Sequence, residues 1–191
     1  MTVLTAMKDK KIVVLGLGLT GLSCVRFLHQ HGLSFAVNDS RTTPFASEKN
    51  YKTFRRDFIE HNPTSTVSLH LGQWSEQLIS EADIIIASPG IDLCETGIKA
   101  LVKPTCSVIG DVELFCQLNN ELPTPIKLLA VTGSNGKSTV VSLLTYLGRE
   151  LGFATEFGGN IGQPVLDLLP TASKNNNNLI TPEYMVLELS S

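Results

Sequence analysis

The sequence predicts an α/β protein built on two successive parallel sheets. Three observations carry that reading. Short apolar, β-branched runs alternate with helical patterns; two glycine-rich turns each stand between such a run and a helix; and a proline-bearing break separates the two halves. Runs that are apolar on both faces need cover on both faces, and parallel strands joined by crossover helices supply it.

The elements follow in order. Residues 11–15 (Lys-Ile-Val-Val-Leu) predict a strand that ends at Gly16. Residues 19–31 repeat apolar side chains at Leu22, Val25 and Leu28, a helical spacing closed by Gly32. A second strand is expected at 34–38 and a helix at 48–61, stopped by Asn62-Pro63. Residues 84–88 read as a fully apolar strand followed by Pro89-Gly90, residues 107–109 as a short last strand, and 111–118 as a last helix. Pro123 and Pro125 then suit neither helix nor central strand. Beyond them a strand at 126–131, a helix at about 136–151, a glycine-rich turn at 158–162, a polar loop at 174–178 and a strand at 184–189 restart the pattern. The expected domains are therefore residues 1–122 and 126–191.

The first turn places Gly16, Gly18 and Gly21 between a strand and a helix, with Asp39 at the end of the next strand, the arrangement of a Rossmann-like domain that binds a nucleotide diphosphate. Gly16 permits the tight turn, Gly18 lets backbone approach phosphate, and Gly21 lets helix pack on sheet. The helix N-terminus then offers unpaired N–H groups to the diphosphate of some nucleotide, NAD and a UDP-sugar alike. Asp39 alone suits a ribose, whereas Arg41 offers a fork to phosphate or carboxylate; a solvated strand-end charge pair accounts for the two residues equally well.

The second turn is stronger. Gly133, Ser134, Asn135, Gly136, Lys137, Ser138 and Thr139 follow a strand and open a helix, as in a P-loop. Loop N–H groups would cradle ATP phosphates, Lys137 would reach the β- and γ-phosphate oxygens, and the Ser138 hydroxyl would bind Mg²⁺. Val131 stands where the general motif has its first glycine. Glu188 ends an apolar run, which suits either Mg²⁺ coordination or a strand-end carboxylate in water; Asn160 reads as a turn residue or a substrate ligand.

Composition narrows the class. Of 191 residues 42% are hydrophobic and 17% charged, and 15 Lys plus Arg against 18 Asp plus Glu leave a net charge of −3. Without a basic excess there is no footprint for nucleic acid or an anionic membrane. The longest apolar stretch is interrupted by glycines and too short to span a bilayer. The cysteines at 24, 94, 106 and 116 have no zinc spacing and read as buried thiols of a reduced cytoplasm.

Taken together, residues 16–21, 87–90 (Ala-Ser-Pro-Gly), 110–115 (Gly-Asp-Val-Glu-Leu-Phe), 132–139, 158–162 and 187–191 (Leu-Glu-Leu-Ser-Ser) resemble the Mur ligases, in the family's order from end to end. The family's P-loop form, T-G-x-N-G-K-[ST], explains Val131. The likeness is greatest to the members that join D-glutamate to UDP-N-acetylmuramoyl-L-alanine in peptidoglycan synthesis, at the expense of ATP and with Mg²⁺. It implies that Gly18, Leu19 and Thr20 hold the diphosphate, Ser40 and Arg41 the uracil-nucleotide end, Ser88, Pro89 and Gly90 the same crevice, and Asn160 the sugar–peptide part. It further implies Lys137 as the catalytic cation, and Ser138, Glu188 and Ser190 as metal ligands. Family members continue past Leu-Glu-Leu-Ser-Ser, so the 191 residues are expected to be a whole UDP-binding domain plus the start of the ATPase domain. Such a cytoplasmic monomer is expected not to turn over alone, its second part unstable in isolation. A UDP-substrate-binding module without catalysis and an NAD-dependent oxidoreductase are the alternatives.

Overall fold

The computed structural model describes residues 1–60, 66–169 and 181–190. Two compact units divide the chain, Met1–Asp111 and Val112–Ser191. The sequence puts the break at residues 123–125, so the difference between the two divisions is a single helix, residues 111–119.

The first unit opens with a short helix, α1 (Val3–Met7), capped by the Thr2 hydroxyl on the Thr5 N–H. Its sheet contains β1 (Ile12–Leu15), β2 (Phe35–Asp39), β3 (Val67–Leu71), β4 (Ile84–Ala87) and β5 (Ser107–Ile109). All pairs are parallel and the spatial order is β3-β2-β1-β4-β5. Chain order reverses between β1 and β4, so the loops leaving their carboxyl ends open a crevice at that point. The central strands β1 and β2 are buried along their whole length; β1 is apolar throughout, as cover on both faces requires, whereas β2 ends in the buried polar pair Asn38 and Asp39. One face of the sheet presents Val13, Leu15, Ala36 and Ile85, which cluster with Ile79 of α4 (Glu76–Glu81) and Ile98 of α5 (Ile98–Leu101). Alternation sends Val14, Val37 and Ile86 to the other face, where α2 (Leu19–Gln30) lies against β1 and buries Cys24, Val25 and Leu28.

Three features depart from the sequence reading. The helix expected at 48–61 is α3 (Glu48–Phe54), continued as a wider π-helical turn over Arg55–Glu60; His61 and the Asn62-Pro63 stop lie outside the described residues. β3, α4 and α5 carry no strong periodicity and escaped the pattern, because they are short and only partly buried. Of the four cysteines, all free thiols, Cys24 alone is buried; Cys94 is exposed and the other two are intermediate.

The second unit holds α6 (Asp111–Asn119, its first residue counted with the first unit), β6 (Lys127–Val131), α7 (Lys137–Glu150), β7 (Thr155–Gly159) and β8 (Tyr184–Glu188). The sheet is parallel, in the order β6-β8-β7, so the last strand in sequence is the middle one in space. That position explains why Met185, Val186 and Leu187 are all buried. The Asn119 amide ties the proline segment off at its base, donating to the Ile126 carbonyl at 2.9 Å and accepting the Ile126 N–H at 2.9 Å. The glycine-rich turn expected at 158–162 is corrected: Gly158 and Gly159 belong to β7, and the turn begins at Asn160. Here Gly159 has φ +106 and lies so close to β8 that a Cβ would strike the Glu188 carbonyl. The polar loop expected at 174–178 lies outside the described residues.

Candidate functional site

Two clusters stand at the carboxyl ends of the two sheets. In the first unit, Gly16 (φ +86) turns the chain out of β1, its N–H bonded to the Asn38 carbonyl at 2.9 Å. The three glycines are needed for different reasons. A Cβ on Gly21 would collide with the Gly16 carbonyl, and one on Gly16 would stand 2.9 Å from the Ile91 side chain and 3.1 Å from the Ser88 hydroxyl. A Cβ on Gly18 meets nothing within 4 Å. Packing thus requires Gly16 and Gly21, whereas Gly18, the N-cap of α2, borders open space in front of the unpaired first-turn N–H groups. Ser88 approaches the same turn from β4, its hydroxyl 3.4 Å from the Gly16 carbonyl, and Pro89-Gly90 continue beside it.

Asp39 and Arg41 close the other side. The Asp39 carboxylate is 3% exposed and accepts four hydrogen bonds. These come from the Leu17 N–H (2.7 Å), the Arg41 N–H (2.9 Å), Arg41 Nε (2.9 Å) and Arg41 Nη2 (2.6 Å). Burial, the largest single influence, pushes the Asp39 carboxyl up. The Arg41 fork, the Leu17 and Arg41 N–H groups and the guanidinium charge together outweigh it and hold the carboxyl below the usual carboxylate range. A cavity of about 500 Å³ opens next to this pair, lined by Leu17, Gly18, Leu19 and Arg41 on one side and by Phe45, Lys49, Asn50, Phe54 and Phe58 on the other. The expected residues Gly18, Leu19 and Arg41 line it; Thr20, Ser40, Ser88, Pro89 and Gly90 do not. The wall from the helix over 48–60 was missed by sequence reasoning. Its signal was the aromatic spacing Tyr51, Phe54, Phe58: Tyr51 and Phe54 meet Phe45 at centroid distances of 5.4 and 5.2 Å, and Phe58 packs on Phe54 at 5.1 Å.

In the second unit the loop after β6 reaches α7 through Gly133 (φ +140) and Gly136 (φ +74). Lys137 folds back over this loop and donates to the Gly133 carbonyl at 2.6 Å. Ser138, in the first turn of α7, donates its hydroxyl to Glu188 Oε2 at 2.8 Å. Glu188 is buried and sits in register with Val131 on one side and Gly159 on the other. Strand pairing therefore delivers a carboxylate 50 residues away in sequence to the start of the helix. The close approach at Gly159 also lets the Asn160 N–H reach the Glu188 carbonyl at 3.0 Å. Lys137, Ser138, Glu188 and Asn160 are thus gathered at one end of the sheet. Ser134, Asn135, Thr139 and Ser190 are exposed, and Ser190 stands two residues past Glu188. A hydroxyl and a carboxylate are hard oxygen donors, a set that fits Mg²⁺. Among the described residues, no group of three or more His, Cys, Asp or Glu could hold a metal by itself.

Comparison with known proteins places this geometry. Residues 10–110 match the family description "Mur ligase MurD-like, N-terminal domain". Over its whole length the chain is 54% identical to the UDP-N-acetylmuramoylalanine–D-glutamate ligase of Colwellia psychrerythraea, and 41% identical to the enzyme of that name from Pseudoalteromonas translucida. It spans 40% and 39% of those proteins. Among solved structures, a UDP-N-acetylmuramate:L-alanyl-γ-D-glutamyl-meso-diaminopimelate ligase from Neisseria meningitides aligns with 94% of this chain and 52% of its own, with a TM-score of 0.50 and 18% identity, a likeness of fold. With more than half of the sequence matched, over residues 10–110, the chain belongs to the MurD-like Mur ligases.

Proposed function

We propose that the protein is an ATP-dependent ligase that joins D-glutamate to UDP-N-acetylmuramoyl-L-alanine, a cytoplasmic step of cell-wall peptidoglycan synthesis. We further propose that residues 1–122 form its UDP-substrate domain and 126–191 the start of its ATP domain. The observation that carries the reading is the pairing of Ser138 with buried Glu188 beside the Gly133–Lys137 loop, in a chain that also has a diphosphate loop at Gly16–Gly21. A nucleotide-linked substrate and a phosphate donor each find a turn.

Residue roles follow from position. Gly18, Leu19 and Thr20 hold the diphosphate through backbone N–H groups at the start of α2. Ser40 and Arg41 border the uracil end, Ser88, Pro89 and Gly90 the far wall, and Asn160 the sugar–peptide part. Gly133, Ser134, Asn135, Gly136 and Thr139 wrap the phosphates of ATP. Lys137 exchanges its Gly133 carbonyl for β- and γ-phosphate oxygens when ATP enters. Ser138 and Glu188, with Ser190, would hold Mg²⁺, whose charge would offset that of the phosphates. The substrate carboxylate takes the γ-phosphoryl group and ADP leaves. The D-glutamate amine then adds to the acyl carbon and loses a proton, phosphate departs with the C–O electrons, and an amide remains. Lys137 stabilises the charge that gathers on the phosphoryl oxygens, which is where catalysis of this class is concentrated.

Calorimetric titration of the 191 residues with UDP-N-acetylmuramoyl-L-alanine and with NADH separates this reading from an oxidoreductase. The UDP substrate is expected to bind and NADH not; the reverse result removes the proposal. The 191 residues span 40% of the Colwellia relative, so binding without turnover is the expected outcome. Phosphate release dependent on both UDP-N-acetylmuramoyl-L-alanine and D-glutamate would show that they are competent by themselves.

A further inference from the structure

Asp39 ends β2, the place where a carboxylate in a dinucleotide-binding sheet accepts the ribose 2′-hydroxyl. A carboxylate has about four lone-pair positions. Here all four bonds are already made, by the Leu17 N–H and by the Arg41 N–H, Nε and Nη2, at 2.6–2.9 Å, on a side chain 3% exposed. Three of these donors belong to a cation or its own backbone, and a neutral hydroxyl forms weaker bonds than a guanidinium. A ribose would have to displace Arg41 or the loop N–H to reach Asp39. Leu17 and Arg41 both line the 500 Å³ cavity, whereas Asp39 does not.

We propose that Asp39 is a positioning residue that locks Leu17 and Arg41 into one rigid wall of the nucleotide cavity, and that the site is consequently indifferent to the 2′-hydroxyl of its nucleoside diphosphate. The inference rests on the nucleotide-site reading above. Affinity comes from the diphosphate on the α2 N-terminus and from the base against Arg41 and the aromatic wall, both kept in place by the carboxylate. Recognition through the ribose diol, on which the dinucleotide sheets rely, has no acceptor left at this position.

The test is a calorimetric titration of the 191-residue chain with UDP and with 2′-deoxy-UDP. The two are expected to bind within about threefold of one another. Asp39→Asn keeps one acceptor for Leu17 but loses the charged fork, and should weaken both ligands in parallel by about tenfold or more. Arg41→Lys keeps the charge but cannot bridge both carboxylate oxygens, and is expected to behave alike. Loss of tenfold or more on removing the 2′-hydroxyl overturns the inference, as does an Asp39→Asn chain that binds both ligands as the unaltered chain does. If Asp39→Asn does not fold, the ratio of the two ligands on the unaltered chain still decides. A purely structural Asp39 would lower the melting temperature while leaving the folded protein's affinity unchanged. If the unaltered chain binds neither ligand, the nucleotide-site reading itself falls. If UDP binds with a large 2′-hydroxyl preference, that reading stands and only the present inference is lost.

Discussion

At the residue scale, the glycine turn after β1 separates glycines that the fold requires from one that it does not. Gly21→Ala drives a methyl group into the Gly16 carbonyl, a backbone atom that cannot rotate away. It should destabilise the first unit by about 1–3 kcal/mol, the usual cost of overpacking. Gly18→Ala has open space and an ordinary extended backbone (φ −79), so its urea midpoint should stay near that of the unaltered chain. The same methyl stands where phosphate would approach, so UDP affinity should fall. Urea melts and UDP titrations of the two variants check the contrast; equal midpoints, or unchanged binding by Gly18→Ala, would contradict it. Both glycines were visible in the sequence as one motif, but which of them serves packing emerges only from the atoms facing each Cα. Gly159 makes the same point in the second unit. It reads as part of a loose turn, yet it is the strand residue whose missing Cβ lets β7 close on Glu188.

At the element scale, α7 is apolar on two sides. Val141 and Thr145 are buried, and Gly148 packs so closely on Thr155 that a Cβ there would overlap its side chain. On the opposite side Val140, Leu143 and Leu147 remain 44–54% exposed, in line with Leu151 at 73%. A helix with apolar residues on two sides is normally covered on both, and an open apolar stripe invites association. The chain is expected to bind a hydrophobic dye and to associate as its concentration rises. Leu147→Lys should reduce both while leaving far-ultraviolet circular dichroism unchanged. Dye binding identical in the variant would show that the stripe is not the sticky surface. Periodicity located this helix within a residue at each end, because its length and caps are local properties. Periodicity missed β3, α4 and α5, which are short and held by neighbours distant in sequence.

At the scale of the whole molecule, the acid response should be dominated by the first unit. Asp39 is held below the ordinary range by Arg41 and two N–H groups despite its burial. Glu81 is lowered by the Lys11 ammonium, and Asp83 by Lys103 and the Lys11 N–H; these two are surface pairs worth little singly. A carboxylate whose pKa is depressed by folding stabilises the folded state above its unfolded pKa and loses that contribution as pH falls through the folded value. Stability of the first unit should therefore be level through neutral pH and decline below about pH 4. Melting temperatures from pH 7 to pH 2.5 check this. Asp39→Asn should flatten part of the decline, and an unaltered slope would mean that other carboxylates carry it.

The sequence by itself determined the class of fold, the order of the main strands and helices, the position of both glycine turns and the family that they resemble. All of these are written locally, in periodicity and in residues that only certain backbone shapes accept. Tertiary structure alone decided that Glu188 meets Ser138, that Phe45, Phe54 and Phe58 wall a cavity, and that Asp39 spends its carboxylate on Leu17 and Arg41. The physical reason is that tertiary packing chooses the partners. Leu17 and Asp39 are 22 residues apart and Ser138 and Glu188 are 50 apart, joined only through sheet pairing, and even for near neighbours such as Asp39 and Arg41 or Phe54 and Phe58 no local pattern records which partner the fold supplies.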